Sequence, residues 1–252
     1  MTKVVTRIQQ VMQRLLYQPI HVYVFHHVSD QRDPLVSGYS DWTQSNIFYS
    51  NILALKRDYT FISLDCAYKK ICSKKPRFKK FAVLTTDDGL QTVPFVLPWL
   101  EKQEVPLTCF VNAKYLDGHS HKSEDEVRIK RINPEAIIQD VIIRQYMTYE
   151  QVFNLKSPWI SIGSHGFEHL NSSKIGEQQF LENVQKCQNI LEKHPRYIPY
   201  FAYAWGRHNE KTDRILRENG LIPVLVDGKV NRCNPRFIHR ECIDGKDLSS
   251  KK

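Results

Sequence analysis

Short apolar runs that alternate with amphipathic segments extend from Ile20 to Ile243, and this alternation limits the folds open to the chain. The apolar runs have the length of strands, and the segments between them repeat apolar residues at helical spacing. Strands that alternate with helices indicate a parallel sheet or a barrel. The 252 residues contain neither an internal repeat nor an obvious linker, so we predict one α/β domain.

Each predicted strand is a run rich in apolar residues. These strands cover residues 20–25, 60–64, 81–85, 107–111, 159–163, 198–205, 221–226 and 237–243. Predicted helices cover residues 46–57, 92–102, 177–193 and 209–220, and another begins at Thr148, where Thr-x-x-Gln matches a capping box. Residues 114–145 break the alternation, and we interpret them as an insertion with a short helix that could shape a substrate site.

The N-terminal 19 residues form a predicted amphipathic helix, because apolar residues recur there at helical spacing. They are Val4, Ile8, Val11, Met12, Leu15 and Leu16. We expect this helix to pack on the domain, with a peripheral membrane or partner contact as the alternative. It lacks the continuous apolar core of a signal peptide, and no run reaches the ~18 apolar residues of a membrane span. A cytoplasmic protein is therefore expected, with the main domain at residues 20–244 and a polar tail at 245–252.

Charge and cysteine content bear on the partners. The net charge of +9 favours anionic partners, but no nucleic-acid recognition motif is present, so nucleic acid is not an expected partner. A dense basic run at residues 69–80 is interpreted as a solvated helix end and loop. None of the six cysteines forms a Cys-x-x-Cys pair, which argues against a cysteine zinc site and favours reduced thiols. Nothing in the sequence indicates an oligomeric state.

Two adjacent carboxylates, Asp87 and Asp88, follow the predicted strand at residues 81–85, and Gly89 permits a sharp exit. Active sites of α/β folds lie at the carboxyl ends of strands. Adjacent residues on extended backbone point in different directions, so one carboxylate can bind a metal while the other faces an attacking water. A pair of turn-forming aspartates is the alternative, since Asp-Gly is also a turn signal. A nucleotide-hydrolase interpretation is rejected, because the chain has no phosphate-binding Gly-Lys loop.

His165 and His169 follow the next informative strand and a Gly-Ser turn. A spacing of four places both imidazoles on one face if the segment forms a helical turn, and neutral imidazole is a common zinc ligand. The segment also fits His-x-x-Glu-His, a metallopeptidase motif in which Glu168 would be the base. Gly163 and Gly166 argue against the helix that this motif needs, and a peptidase would leave the paired aspartates unexplained.

Two further segments complete the candidate site. Tyr203 and Trp205 lie at the end of a strand, where they either pack in the protein or line a sugar site. His26 and His27 end the first strand, with one expected to point inward, and a histidine there could protonate a leaving amine. A merely polar strand end is the alternative for that pair.

Together these segments resemble the polysaccharide deacetylase family, also called the NodB-homology family or carbohydrate esterase family 4. Its Thr-Phe-Asp-Asp-Gly motif corresponds to residues 85–89, and its second motif to residues 165–169. The resemblance implies a distorted (β/α) barrel and a carbohydrate substrate. It further implies that Asp87 is the catalytic base and that a divalent metal ion, usually Zn²⁺, is held by three ligands. These ligands would be Asp88, His165 and His169.

The resemblance also extends to the remaining site residues. The strand ending Val-Phe-His resembles one in exopolysaccharide deacetylases and makes His26 the expected general acid, with His239 a weaker candidate. The backbone near Trp205 would bind the oxyanion, and Trp205 and Tyr203 would contact substrate. No arginine precedes that segment, although many members use one to orient the base.

The leading hypothesis is therefore a metal-dependent hydrolase that removes an acetyl group from an N-acetylated sugar of a glycan or glycan precursor. Hydrolysis of another amide or of an O-acetyl ester is an alternative within the same fold. A carbohydrate-binding protein that has lost catalysis is another, motivated by Ala204 and Trp205 where the family has Pro and Tyr.

Overall fold

The computed structural model describes residues 16–30, 42–73, 75–117, 146–233 and 236–249. The predicted N-terminal helix, apart from its last residues, lies outside these ranges. So do most of the predicted insertion at 114–145 and the end of the polar tail. None of the helices in the described ranges is long and apolar enough to span a bilayer.

Ten strands form within the described ranges, and seven of them close into a barrel. In chain order the strands are β1 (Ile20–Phe25), β2 (His27–Ser29), β3 (Trp42–Gln44), β4 (Thr60–Phe61), β5 (Phe81–Thr86), β6 (Leu107–Val111), β7 (Ile160–Ser164), β8 (Tyr197–Ala202), β9 (Ile222–Val226) and β10 (Ile238–Cys242). Around the barrel β1 pairs with β5, the series β5 to β10 follows in chain order, and β10 pairs back with β1, always in parallel. The predicted α/β barrel is confirmed. The pairing of β1 with both β5 and β10 closes the sheet, so the chain forms a barrel and not an open sheet.

In the part of the chain that the structure describes, six α-helices flank these strands. They are α1 (Ser45–Asp58), α2 (Leu64–Cys72), α3 (Thr92–Lys102), α4 (Tyr149–Phe153), α5 (Glu177–Leu191) and α6 (Glu210–Glu218). Side-chain caps fix several of their starts, because they satisfy backbone N–H groups that the first turn leaves unpaired. Thr148 and Asn209 each form a capping box, at α4 and α6 respectively. Gly220 follows α6 with φ 72°, a backbone conformation that glycine adopts without strain.

Two local predictions differ from the structure. The strand predicted at residues 60–64 ends at Phe61, because the Ser63 hydroxyl caps α2 by accepting a hydrogen bond from the Cys66 N–H. Within the basic run, Arg77 is buried rather than solvated. Its guanidinium donates hydrogen bonds to the carbonyl oxygens of Gln18, Lys70 and Arg232, so it ties together segments at the amino-terminal end of the barrel.

Alternate residues of the barrel strands face different apolar clusters. One cluster lies between the strands and outer helices, and it includes Phe25 of β1 packed on Phe48 of α1. Another includes Val22, Val83 and Phe110 from three different strands, and we place it inside the barrel. Further along those inner faces, towards the carboxyl ends of the strands, the side chains become polar. The barrel therefore presents its buried polar groups at one rim.

Candidate active site at the carboxyl ends of the strands

Asp87 and Asp88 leave the end of β5 on strained backbone. Asp88 has φ 72° and the following Gly89 has φ 77°. A left-handed conformation is unfavourable for a non-glycine residue, and such strain is concentrated at functional sites. Among the described non-glycine residues only Asp88, Glu104 and Trp205 have positive φ, and two of these three lie at this rim. The turn sends the two buried carboxylates in different directions.

The Asp88 carboxylate converges with the imidazoles of His165 and His169. Asp88 Oδ1 lies 3.5 Å from His165 Nε2 and 3.7 Å from His169 Nε2. One donor atom from each residue lies within 4.8 Å of the other two. Ligands about 2.0–2.1 Å from a tetrahedral zinc ion stand roughly 3.3 Å apart, so only small shifts separate this arrangement from a coordination sphere.

The His165 ring is oriented for metal binding by its other nitrogen. Nδ1 lies 2.7 Å from the carbonyl oxygen of Ala202, which can only accept a hydrogen bond. Nδ1 therefore carries the proton, and the lone pair of Nε2 points towards Asp88 and His169. Metal-binding histidines are commonly held by such a contact to a backbone carbonyl. The three donor residues thus fit a divalent metal ion.

The segment from His165 to His169 is a loop and not a helical turn, which corrects the geometric basis of the spacing argument. Gly166 has φ 87°, and a β-carbon there would lie 2.6 Å from Asn183 Nδ2. The Asn112 side-chain amide donates to the carbonyl oxygens of His165 and Gly166, at 2.7 and 3.3 Å. These contacts bring the two imidazole ring centroids to 4.9 Å. The metallopeptidase alternative, which needs a helix here, is not supported.

Asp87 forms a buried two-pronged ion pair with Arg240 of β10. Arg240 Nη1 donates to Oδ1 at 2.6 Å and Nη2 donates to Oδ2 at 2.8 Å. The side chains are 0% and 3% exposed. No arginine precedes the Trp205 segment, but Arg240 on another strand holds Asp87. This correction removes one reason to doubt the catalytic competence of the site.

The pKa values of both aspartates are lowered despite burial. Burial tends to raise the pKa of Asp87, but Arg240 and then His165 outweigh it and hold that pKa below its ordinary value. Burial acts in the same way on Asp88, where the two histidines hold the pKa well below the ordinary carboxylate range. Both side chains are therefore carboxylates at neutral pH, ready to accept a proton or bind a cation.

His26 lies beside Asp87 and is held by a second carboxylate. His26 Nε2 is 4.0 Å from Asp87 Oδ2, while Nδ1 is 2.6 Å from Asp244 Oδ2. The His26 backbone N–H also donates to Asp244 Oδ1, at 2.9 Å. Burial tends to lower the pKa of His26, but Asp244 outweighs it and raises the pKa well above its ordinary value. His26 thus carries a proton at neutral pH and presents Nε2 to the site.

His239, the weaker acid candidate, contacts Asp227 instead. Its Nδ1 lies 2.9 Å from Asp227 Oδ2. Side chains alternate along a strand, so His239 and its neighbour Arg240 leave β10 in opposite directions. Because Arg240 points at Asp87, His239 is directed away from the paired aspartates.

The two aromatic residues near the end of β8 occupy different environments. Trp205 is 58% exposed, and its ring lies edge-to-face with His169 at 4.3 Å between centroids. Its φ of 52° turns the side chain outward at the rim. Tyr203 is fully buried, and its hydroxyl donates to Asp213 Oδ1 at 3.1 Å. Only Trp205 is thus placed to contact a ligand directly, while Tyr203 packs behind it.

Sequence reasoning missed the roles of Arg240 and Asp244. Arg240 follows His239 in the sequence, but no local pattern connects it to Asp87, and Asp244 lies at the predicted end of the domain with no feature that indicates a function. The only available signal was their position at the end of the last strand of a barrel, where side chains meet those of β1 and β5.

Comparisons with known proteins agree with this geometry. A model of the polysaccharide deacetylase family matches residues 74–224. The structure of IcaB from Ammonifex degensii superposes with a TM-score of 0.73 at 20% identity, covering 90% of this chain and 92% of that one. The deacetylase PplD from Streptococcus pyogenes, in complex with acetate, gives 0.70 at 17% identity, covering 90% and 93%. A de-N-acetylase from Aggregatibacter actinomycetemcomitans gives 0.66 at 17% identity, covering 93% and 97%. These likenesses show the fold, and no curated protein sequence matched the chain.

Proposed function

Because the chain belongs to the polysaccharide deacetylase family, we propose that it is a metal-dependent hydrolase that releases acetate from an N-acetylated sugar. One observation carries the proposal. The donor atoms of Asp88, His165 and His169 converge, with the ionised carboxylate of Asp87 beside them. Three protein ligands with further positions open are typical of catalytic rather than structural zinc sites.

Asp88, His165 and His169 would hold the ion. A divalent ion in such a site lowers the pKa of water towards about 7 and polarises an amide carbonyl. Zinc is the preferred identity, because two imidazoles and one carboxylate are a common zinc donor set.

Asp87 is suited to act as the base. Its Oδ2 lies 3.9 Å from His165 Nε2 and 4.0 Å from His26 Nε2, so it stands between the proposed metal site and the proposed acid. Arg240 holds both oxygens in one plane and keeps the group ionised. In the proposed reaction Asp87 accepts the proton of the attacking water.

His26 is suited to act as the acid. An amine is a poor leaving group until it is protonated, so amide hydrolysis requires a proton donor on the leaving-group side. His26 carries a proton because of Asp244, and its Nε2 lies 4.0 Å from Asp87 Oδ2, at the same rim as the proposed metal site. In the proposed reaction Nε2 protonates the departing amine, and acetate and an amino sugar are released.

The exposed ring of Trp205 supports a carbohydrate as the substrate. A flat apolar surface beside a polar site can pack on the apolar face of a sugar ring while polar groups hold its substituents. The backbone N–H of Trp205 is a further candidate for stabilising an oxyanion, whereas those of Gly206 and Arg207 donate to the carbonyl oxygens of Tyr203 and Ala204. The net charge of +9 would also favour an anionic glycan.

The test is acetate release from N-acetylglucosamine oligomers by protein reloaded with zinc after chelation, with the bound ion counted in parallel. We expect one ion to be essential, and we expect Asp87→Asn and Asp88→Asn to abolish turnover. Asp65→Asn is the matched control, because Asp65 is a partly exposed aspartate on α2 whose side chain pairs with Lys69. Activity that survives Asp88→Asn with no ion bound would refute the proposal.

The variant His26→Ala separates amide hydrolysis from hydrolysis of an O-acetyl ester. An alcohol leaves more easily than an amine, so His26→Ala should depress amide hydrolysis far more than ester hydrolysis. Equal loss on both substrates would argue that His26 does not donate the proton. Glycan binding without turnover in the zinc-loaded protein would favour the non-catalytic alternative.

A further inference from the structure

A second group of three donor atoms lies on the far side of His26. His26 Nδ1 and Asp244 Oδ2 are 2.6 Å apart, and Cys242 Sγ is 3.1 Å from the same oxygen. One donor atom from each residue lies within 4.8 Å of the other two. Within the described residues this is one of two such groups, and the other is the proposed catalytic metal site.

The register of the barrel explains why these side chains meet. Val24 of β1 is the partner of Cys242 of β10. Residues two apart on a strand share a face, so Cys242 follows Arg240 towards the interior rim. Past the ends of both strands, His26 and Asp244 are joined through the His26 N–H. The Cys242 thiol is therefore held close to the His26 imidazole by two adjacent strands.

Burial at this place suits an ion-binding site. The Asp244 side chain is 0% exposed, that of His26 is 18% exposed, and Cys242 is half-buried. The buried Asp244 carboxylate gives the cluster negative charge. Because His26 and Cys242 are partly exposed, an ion can reach the cluster from solvent. A thiolate, an imidazole and a carboxylate favour zinc and similar borderline or soft ions over magnesium or calcium.

The distances require only a small rearrangement. Oxygen and nitrogen ligands of a tetrahedral zinc ion stand roughly 3.3 Å apart, so His26 and Asp244 would separate by less than ~1 Å. The thiol already lies near the distance that a ligand would occupy. The cluster is thus close to a three-ligand site in its metal-free form.

We propose that His26, Cys242 and Asp244 form a second zinc site whose occupation inhibits the enzyme. Binding releases two protons, one from the Cys242 thiol and one shared between His26 Nδ1 and Asp244. The zinc ion takes the place of the Nδ1 proton, so His26 becomes a neutral ligand that keeps only its Nε2 proton. A neutral imidazole is a far weaker acid than imidazolium, and His26 can no longer protonate a leaving amine. The inhibitory effect rests on the proposed function, whereas the binding does not.

The binding experiment counts ions and identifies the thiolate ligand. The metal-stripped full chain is titrated with Zn²⁺, and in parallel with Co²⁺, whose thiolate complexes give a near-ultraviolet charge-transfer band that imidazole and carboxylate sites lack. We expect two zinc ions per wild-type chain and the thiolate band with cobalt. Cys242→Ser should weaken the second site by about 100-fold or more and remove the band. Cys66→Ser, at a half-buried thiol on α2, is the matched control and should behave as wild type.

A reciprocal variant distinguishes the two sites. His169→Ala removes a ligand of the catalytic site and leaves the second cluster untouched, so it should keep the thiolate band while binding one ion fewer. Cys242→Ala serves if the serine variant fails to fold. A wild-type chain that binds a single ion and shows no thiolate band would overturn the second site.

The activity experiment then tests inhibition. Acetate release is followed as zinc is raised above one equivalent, and we expect inhibition in wild type and Cys66→Ser but not in Cys242→Ser. Two bound ions without inhibition would overturn the regulatory role, while the existence of the second zinc site would stand. Absence of turnover at every zinc level would count against the proposed function, while the ion count would still decide whether the second site exists.

Discussion

Replacing Arg240 by Met should destabilise the protein most strongly at neutral pH. The substitution keeps an unbranched buried side chain of similar length but leaves the Asp87 carboxylate, 3% exposed, without its two hydrogen bonds. Removing one partner of a buried ion pair costs about 3–5 kcal/mol, because the remaining charge is uncompensated. For a chain of this size each kcal/mol lowers Tm by about 2–4 °C, so Tm should fall by roughly 6–20 °C.

The pH dependence follows from the pKa of Asp87. Arg240 holds that pKa below its ordinary value in the folded protein. The ion pair therefore contributes stability above the unfolded pKa of about 3.9, and this contribution is lost as pH falls through the lower folded value. In Arg240→Met burial dominates and the folded pKa of Asp87 rises. The difference in stability between wild type and variant should thus be largest at neutral pH and shrink on acidification.

Urea denaturation at neutral pH and near pH 4 measures both effects, and the double variant Asp87→Asn/Arg240→Met is the control. Because the double variant buries no unpaired charge, it should recover a large part of the lost stability. Acetate release by Arg240→Met should fall by about 10²–10⁴-fold, as expected when a catalytic base is misplaced. A loss below about 1 kcal/mol at neutral pH, the value of an exposed ion pair, would refute the reasoning.

Three further predictions concern the acid, the metal and the sugar contact. Asp244→Asn should lower the pKa of His26 towards its ordinary value, because Asp244 raises that pKa in the wild type. Since the acid must be protonated, the alkaline limb of the pH–rate profile should move to lower pH. An unmoved limb would contradict the assignment of His26 as the acid. His169→Ala should weaken zinc binding at the catalytic site by about 100-fold or more while the metal-free protein stays folded, which metal competition and circular dichroism measure together. Trp205→Ala should raise KM for oligosaccharides by about 2- to 10-fold with little change in kcat, and an unchanged KM would show that the exposed ring does not contact the sugar.

The strands and helices were largely predictable because their signals are local. The predicted strands at residues 20–25 and 107–111 and the helix at residues 92–102 agree with the structure, since apolar periodicity and flanking polar residues determine each of them. Helix α2 was missed because its cap, Ser63, interrupts a run that otherwise reads as a strand. The placement of Asp88, His165 and His169 at strand ends was also predictable, because parallel strands bring those ends to one rim.

Only the tertiary structure decided which distant parts of the chain are in contact. Arg240 meets Asp87 across 153 residues and Asp244 meets His26 across 218 residues, because closure of the barrel makes the last strand a neighbour of the first. No local pattern encodes that closure. The sequence by itself determined which groups are acids, bases and ligands, whereas the closed barrel determined which of them are ionised, protonated or oriented, since burial and charged partners control those properties.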